Sequence, residues 1–516
     1  ADLISYLTQL EGYIYAIIAA VVVLVAVMFL AHFAKKGFRC AVRLEAFMAF
    51  LTAILIIVNS ICYGPMYANV SGFLNASKAE FSEETIQQSK DTIEKVGEEG
   101  MVLVKNDGLL PLSSDVTNLN VFGWDSTCPI YGGTGSAGSH SDGNVSILQS
   151  LQDAGYKTNE TLSNMYTEYC AERPTISMSA QDWSLPEPNM KHYTDDIMNE
   201  AKDFSDTAMV VLGRPGGEGA DLPTNMSAVI NGTYNQGLAT SNAPANWRYM
   251  NATYTNNGSY DDFEEGESYL EPSVTEEQLI EKVCSEFDNV IVVINANNTM
   301  ELGWVDNYEQ IKSVILAPGA GETGFTALGE ILNGTVNPSG KTADTYVKNL
   351  LSTHYINNIG NFPYTNVDDL KAQALAADSS YKGNVSFVNY VEGIYVGYKF
   401  YETAAEEGLI DYESSVQYPF GYGLSYTTFD KTMTNFKDNG DTVSFDVEVT
   451  NTGDVAGKDV VEVYYTPPYT NGGIEKASVN LVQFEKTETL EPGKSQTLSF
   501  EIAKEDMASY DSSEIK

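Results

Sequence analysis

One glutamate, Glu218, lies on a glycine-rich loop after a short apolar run. Residues 208–212 have the length and composition of a buried strand. The Gly-Arg-Pro-Gly-Gly sequence at 213–217 ends it, because proline fixes its own φ and glycine adopts backbone angles that other residues avoid. α/β proteins often carry their reactive side chains on such loops, although an ordinary solvated acid gives the same pattern. Glu218 is therefore a candidate catalytic carboxylate, with Arg214 and Asp221 beside it.

The composition limits the classes of ligand. The net charge of −41 argues against nucleic acid, since a phosphate backbone requires a surface of Lys and Arg, and it suits a neutral ligand better than an anionic one. Five cysteines form no disulfide framework, and with four histidines no spacing resembles a metal site. We therefore predict no metal and no disulfide scaffold.

Two uncharged runs near the N-terminus, residues 12–34 and 46–64, are each long enough to cross ~30 Å of hydrocarbon as a helix. The segment between them, residues 35–43, is basic and is therefore predicted to be cytoplasmic. Residues 1–67 are thus predicted to form a transmembrane helical hairpin, a multi-pass anchor in the cell membrane with the acidic remainder outside. A cleaved signal peptide is the competing interpretation.

Several later blocks share a pattern of glycines, aromatics and short motifs. They are Glu-Gly-Met-Val-Leu-Val-Lys-Asn at 99–106, Ala-Pro-Gly-Ala-Gly-Glu-Thr-Gly at 317–324, Asn-Pro-Ser-Gly-Lys at 337–341, Tyr-Val-Glu-Gly-Ile-Tyr-Val-Gly-Tyr at 390–398 and Tyr-Pro-Phe-Gly-Tyr-Gly-Leu-Ser-Tyr at 418–426. With these blocks, the sequence resembles glycoside hydrolase family 3, the β-glucosidase and β-xylosidase family, over roughly residues 80–516.

A formal G-x-G-x-x-G stands at Gly133, Gly135 and Gly138. As a dinucleotide loop it would need a strand immediately before it and a βαβ unit around it, and the sequence provides neither. Members of the family carry a Gly/Ser-rich loop here, near the sugar site. A plain structural turn is the other interpretation, and no cofactor is predicted.

The pattern of elements predicts the fold class. Apolar runs that alternate with helix-like segments indicate an α/β sandwich of the (α/β)6 type, with a mostly parallel sheet covered on both faces, over residues 78–430. From residue 443 strict alternation indicates an antiparallel β-sandwich. This part, residues 431–516, resembles a fibronectin type III-like domain, and we expect the chain to end before its last one or two strands.

The resemblance implies a retaining exo-β-glycosidase, in which one carboxyl group attacks the anomeric carbon and another serves as acid and base. Glu218 matches the family's acid/base residue by its Gly-Glu-Gly context, and Glu301 is the reserve candidate. Arg214, Asp221, Tyr131 and His140 are candidate substrate contacts, each equally consistent with a structural role. The family's nucleophile is an Asp on a (β/α)8 barrel, and no segment here has its signature.

Three hypotheses follow. The first is a membrane-anchored part of a permuted β-glucosidase-like enzyme that acts on an oligosaccharide or β-glycoside, with the barrel downstream or on a partner chain. The second is a catalytically incomplete cell-surface protein that binds carbohydrate or serves in assembly. The third, a nucleotide-binding protein, rests on the glycine motif alone. The sequence does not determine the sugar or the linkage.

Overall fold

The structure, a computed structural model, describes residues 2–64, 67, 71, 81–139, 143–171, 176, 182–218, 222–233, 253–255, 262–356, 362–364, 366–377, 386–387, 390–511 and 514. The chain divides into two units, Ala1–Ile86 and Gln87–Lys516.

The first unit contains two long helices, α1 (Asp2–Leu30) and α2 (Arg39–Tyr63), which contact each other. The segments Gly12–Phe33 and Arg39–Tyr63 are long and apolar enough to cross a membrane. Their side chains are largely exposed, as a helix facing lipid requires. The hydrophobic segment of a signal sequence can have the same length and composition.

The remaining helices and strands lie beyond residue 81. The described helices from residue 81 onward are α3 (Glu83–Gly100), α4 (Ile147–Asp153), α5 (Glu160–Cys170), α6 (Asp195–Phe204), α7 (Met226–Ile230), α8 (Val274–Glu286), α9 (Thr326–Asn333), α10 (Val367–Ala377), α11 (Tyr398–Glu406) and α12 (Tyr412–Ser415). The described strands are β1 (Val102–Asn106), β2 (Asn118–Phe122), β3 (Lys157–Thr158), β4 (Thr207–Arg214), β5 (Asn289–Ala296), β6 (Ile311–Leu316), β7 (Tyr346–Val347), β8 (Phe362–Pro363), β9 (Ser386–Phe387), β10 (Val416–Tyr418), β11 (Phe429–Asp438), β12 (Thr442–Asn451), β13 (Val460–Tyr465), β14 (Asn480–Lys486) and β15 (Ser495–Ala503).

A six-stranded sheet in the order β1-β6-β5-β4-β2-β3 forms the centre of the second unit. Strands β2 to β6 pair in parallel, and β1 pairs antiparallel with β6. The outer side of β1 is covered in part by a later segment, since Leu424 N donates a hydrogen bond of 2.8 Å to Leu103 O. The prediction of a mixed α/β fold with a mostly parallel sheet is confirmed.

Both faces of this sheet are buried. Along β4, Ala208, Val210 and Leu212 face one apolar core while Met209 and Val211 face the other, and β5 alternates in the same way. Helices α5, α6 and α8 contribute to the first core, and α4 and α9 contribute to the second. Such strands read as continuous apolar runs in the sequence, which is why the sheet was predictable.

The order of the strands reverses between β2 and β4. From β2 the chain moves to β3 on one side, and it then returns to β4, β5 and β6 on the other. The loops after β2 and β4 therefore leave the carboxyl edge of the sheet in different directions. In open α/β sheets, ligands bind in the crevice at such a reversal.

The C-terminal region consists of antiparallel strands. A sheet in the order β11-β12-β15 and a β13-β14 pair share one apolar core. Phe445, Val447 and Val449 alternate inward along β12, as the period-two pattern predicts.

Ion pairs join this β region to the end of α3. The Glu99 carboxylate forms salt bridges to Lys458, two residues before β13, and to Lys486 on β14. Burial alone would raise the pKa of Glu99, but hydrogen bonds from the two ammonium groups outweigh it and the pKa is lowered. Lys341 adds a further contact, 3.4 Å from Asp459.

This pairing predicts a pH-dependent stability. A carboxyl group with a lowered pKa stabilises the folded chain above its ordinary value of 4.5, and that contribution is lost as the pH falls through the folded value. We expect Glu99→Gln to lower the free energy of unfolding by about 1 kcal/mol at neutral pH and by less at pH ~3. Urea unfolding at the two pH values tests this, with Glu501→Gln on the exposed face of β15 as the control. A cost that does not change with pH would contradict the assignment.

Candidate active site

The structure places Glu218 just past β4, on the exposed part of the loop at the carboxyl edge of the sheet. The loop after β2 contacts the Glu218 loop at Thr134, which is buried. Thr134 N donates to Gly216 O at 3.2 Å, and Thr134 Oγ1 donates to Glu218 O at 2.7 Å. These bonds close the crevice between β2 and β4 on one side and fix the main chain that carries the glutamate.

Two glycines make this approach possible. Gly217 has φ +147°, and a β-carbon there would lie 2.8 Å from Thr134 Oγ1. Gly135 has φ +66°, and a β-carbon there would lie 2.5 Å from Glu218 Oε2. Any other residue at either position would be strained and would displace its neighbour.

A buried amide supports the loop after β2. Asn295, near the end of β5, is inaccessible to solvent; its Oδ1 accepts from Ile130 N at 2.7 Å, and its Nδ2 donates to Ile130 O and Ala317 O. Gly321 N donates to Tyr131 O at 2.8 Å. The carboxyl ends of β2, β5 and β6 are thereby tied together around the glycine-rich segment.

The glycine motif does not adopt the form of a dinucleotide loop. Residues Gly135–Ala137 form one 3-10 turn, and the next helix, α4, begins only at Ile147. The segment packs on the Glu218 loop instead of opening a helix whose N-terminus could receive a phosphate. Thus the structure favours the interpretation of this loop as part of the Glu218 site.

Arg214 differs from its predicted role as a substrate contact. Its side chain is fully buried, and it forms a bidentate ion pair with Glu276 at 2.8 and 2.6 Å. Its remaining donors reach the carbonyl oxygens of Tyr269, Glu271 and Gly213. Arg214 therefore fastens the end of β4 to the start of α8, and the prediction of a substrate contact is corrected to a structural role.

The other predicted residues lie in different environments. Tyr131 is half-buried and packs edge-on against Phe325; burial, with the nearby Asp125 and Cys128, raises its pKa. His140 and Asp221 lie outside the residues that the structure describes.

Glu301, the reserve candidate, accepts a hydrogen bond from Leu350 N at 2.8 Å. Burial raises the pKa of Glu301, and the hydrogen bond from Leu350 N offsets part of that increase. This contact with the main chain of Leu350 gives Glu301 a structural explanation.

Sequence reasoning missed Thr134 and Asn295. A threonine between two glycines and an asparagine at the end of an apolar strand are both common in turns and strand ends, so neither has a distinctive local pattern. Asn295 directly follows the apolar run 290–294, at a position that points into the protein. A polar side chain at such a position is the available signal for Asn295.

Among the described residues, one group of three acids is close enough to share a cation: Glu94, Glu98 and Glu330. Burial and the neighbouring Glu94 and Glu99 raise the pKa of Glu98. These acids belong to α3 and α9, not to the loops that carry Glu218. The three side chains are half-buried, and the group takes no part in the Glu218 site.

The fold and loop together define an α/β protein with a carboxylate at the edge of a parallel sheet. Residues 101–426 match the glycosyl hydrolase family 3 C-terminal domain, and residues 459–515 match the fibronectin type III-like domain. The first match covers more than half of the chain, so the chain belongs to glycosyl hydrolase family 3.

Similar proteins are named as β-glucosidases. Beta-glucosidase A of Butyrivibrio fibrisolvens is 30% identical over 80% of this chain and 45% of its own length, and the beta-glucosidase of Ruminococcus albus is 30% identical over 82% and 36%. The glucose complex of beta-glucosidase 3B from Thermotoga neapolitana has 27% identity and a TM-score of 0.61, over 83% of this chain and 50% of that one. The chain thus spans half or less of the length of these relatives.

The buried ion pair yields a test of stability. Arg214→Met leaves the Glu276 carboxylate buried without its partner, so we expect a loss of about 3–5 kcal/mol in urea unfolding. The double variant Arg214→Met/Glu276→Met should recover most of that loss. As a control, Lys504→Met removes the exposed bridge to Asp438 and should cost much less, because solvent screens that bridge. If Arg214→Met and Lys504→Met lowered the free energy of unfolding equally, the structural role of Arg214 would be contradicted.

Proposed function

We propose that the chain supplies the acid/base half of a retaining β-glycosidase, with Glu218 as the acid/base. In the first step Glu218 protonates the glycosidic oxygen as the bond to the anomeric carbon breaks and a nucleophilic aspartate bonds to that carbon. In the second step Glu218 takes a proton from water, which displaces the aspartate. The observation that carries the proposal is the position of Glu218, exposed and fixed at the strand-order reversal.

The aspartate nucleophile is proposed to lie on a (β/α)8 barrel, either further along the natural polypeptide or on a partner chain. Two carboxyl groups ~5–5.5 Å apart are needed for retention. The loop geometry supports this, because an exposed glutamate on the sheet edge can reach a second domain placed over it. Closure would desolvate its carboxyl group, and desolvation raises a carboxyl pKa toward the value an acid requires.

The proposed substrate is a β-glucoside or a related oligosaccharide with a terminal β-linked sugar. The names of the relatives support glucose, and the acidic chain suits a neutral ligand. Tyr131, Asp221 and His140 remain proposed substrate contacts. We propose no cofactor, no metal and no nucleic-acid partner.

The proposed organisation has three parts: a membrane hairpin at 1–67, the α/β sandwich at 78–430 and a fibronectin type III-like domain at 431–516. The length and apolar composition of α1 and α2 support the hairpin. The basic segment 35–43 supports an orientation with the acidic region outside the cell.

The role of Glu218 is tested in the natural polypeptide purified from its source, with phenyl and 2,4-dinitrophenyl β-glucosides. The phenolate of the first needs a proton to leave, whereas dinitrophenolate does not. We expect Glu218→Gln to lower kcat/KM for the phenyl glucoside by about 10²–10⁴ and to leave kcat/KM for the dinitrophenyl glucoside nearly unchanged. Azide should raise the low kcat on the second substrate, because it attacks the glycosyl-enzyme without a base.

Glu301→Gln is the matched control, since it changes the other candidate. We expect it to reduce both rates by less than about tenfold. If Glu301→Gln shows the leaving-group dependence instead, the acid/base is Glu301. If the natural polypeptide is no larger than this chain, co-purifies with no barrel and hydrolyses neither glucoside, the chain is a sugar-binding or assembly protein. A ~250-residue barrel would be evident from the intact mass.

The membrane hairpin predicts behaviour in fractionation. The native protein should remain in the membrane pellet after an alkaline carbonate wash and dissolve in detergent, because two apolar helices are held by hydrocarbon and not by charge. Removal of residues 1–67 should release it. Recovery in the carbonate supernatant, or a native N-terminus that begins after residue 34, would favour a signal sequence.

A further inference from the structure

The segment 131–138 carries the G-x-G-x-x-G motif but forms no phosphate-binding loop, so its glycines need another explanation. We propose that it is a clamp for a carboxylate, in which Thr134 and Gly135 are positioning residues for Glu218. This inference rests on the proposed acid/base role of Glu218, and it adds the means by which that carboxyl group is held.

The first step of the argument concerns the main chain. The Thr134 N–H and hydroxyl bind Gly216 O and Glu218 O, so they bracket Gly217 from both sides. Thr134 and Gly217 also form an isolated parallel bridge. The peptide units on either side of Gly217 are thereby held against the loop after β2, although glycine itself would leave them free.

The second step concerns the side chain. A β-carbon at Gly135 would lie 2.5 Å from Oε2, 2.9 Å from Cβ and 3.1 Å from Cδ of Glu218. The glutamate therefore lies across the bare Cα of Gly135 along its whole length. Contact at both ends restricts the rotamers of a side chain that is otherwise exposed.

The third step concerns the stiffness of the clamp. Its turn is closed on itself, since Gly133 N donates to Ala137 O at 3.0 Å and Gly138 N donates to Gly135 O at 3.2 Å. Its start is held by the buried amide of Asn295 and by Gly321 N. The start of the clamp thus rests on Asn295, near the end of β5, and on Gly321, in the segment after β6.

The consequence for catalysis follows from the two steps that one carboxyl group must perform. It donates a proton to one oxygen and then accepts a proton from another at nearly the same place, so its position matters more than its exposure. A displacement of ~1 Å can cost ~10²-fold in rate. The clamp fixes this position within residues 130–218 and 295–321, before any second domain contacts the glutamate.

The test uses Thr134→Val, which removes only the hydroxyl donor, and Thr134→Ser, which keeps it, in the natural polypeptide. We expect Thr134→Val to lower kcat for phenyl β-glucoside by about 10–100-fold, to change kcat/KM for 2,4-dinitrophenyl β-glucoside by less than about threefold, and to leave KM nearly constant. Thr134→Ser should restore kcat to within about threefold of the parent. If Thr134 had only a structural role, Thr134→Val would lower kcat/KM for both substrates together, and it would also lower the melting temperature.

Two results would overturn the clamp. One is a Thr134→Val protein that keeps the parent's ratio of kcat/KM between the two glucosides while Glu218→Gln changes that ratio; the proposed function then stands without the clamp. The other, which needs no activity, is a crystal structure of Thr134→Val in which the main chain at 216–218 and the Glu218 carboxyl have not moved. The expected structure shows a displacement on the order of 1 Å that Thr134→Ser reverses. If Glu218→Gln has no effect, the proposed function fails, and the crystal structures still decide whether the clamp exists.

Discussion

Burial of the central sheet on both faces is the constraint on which the rest of the structure depends. Because β4 and β5 send alternate side chains into two apolar cores, the middle of each strand has no room for an unpaired polar group. Reactive side chains can therefore be placed only where strands end. Asn295, a buried amide near the end of β5, satisfies its hydrogen bonds at Ile130 and Ala317, in the segments that follow β2 and β6.

The site combines a rigid base with an exposed carboxylate. The ion pair between Arg214 and Glu276 fixes the end of β4, and a hydrogen bond from Thr134 holds the loop that follows β4. A buried pair of this kind adds little net stability over an apolar pair of the same size, but it specifies one arrangement because a misplaced charge would be costly. Glu218 is consequently held by its neighbours in sequence and in space without being buried itself.

The sequence predicted those features that depend on local pattern. The runs 208–212 and 290–294 predicted β4 and β5 with errors of one to two residues, because buried strands are continuous and apolar. Features that depend on distant contacts were not predictable: Arg214 stands next to a glycine loop in the sequence, but its partner is 62 residues away. The same holds for Thr134, which contacts Glu218 across 84 residues.

The edges of the central sheet differ from its middle in a way that bears on self-association. One edge is β3, which has only two residues; the other is β1, which runs antiparallel and has part of its outer side bonded by Leu424. An open strand edge is a template on which a second molecule can add a strand. A short edge and a covered edge therefore protect neighbouring copies from intermolecular sheet growth.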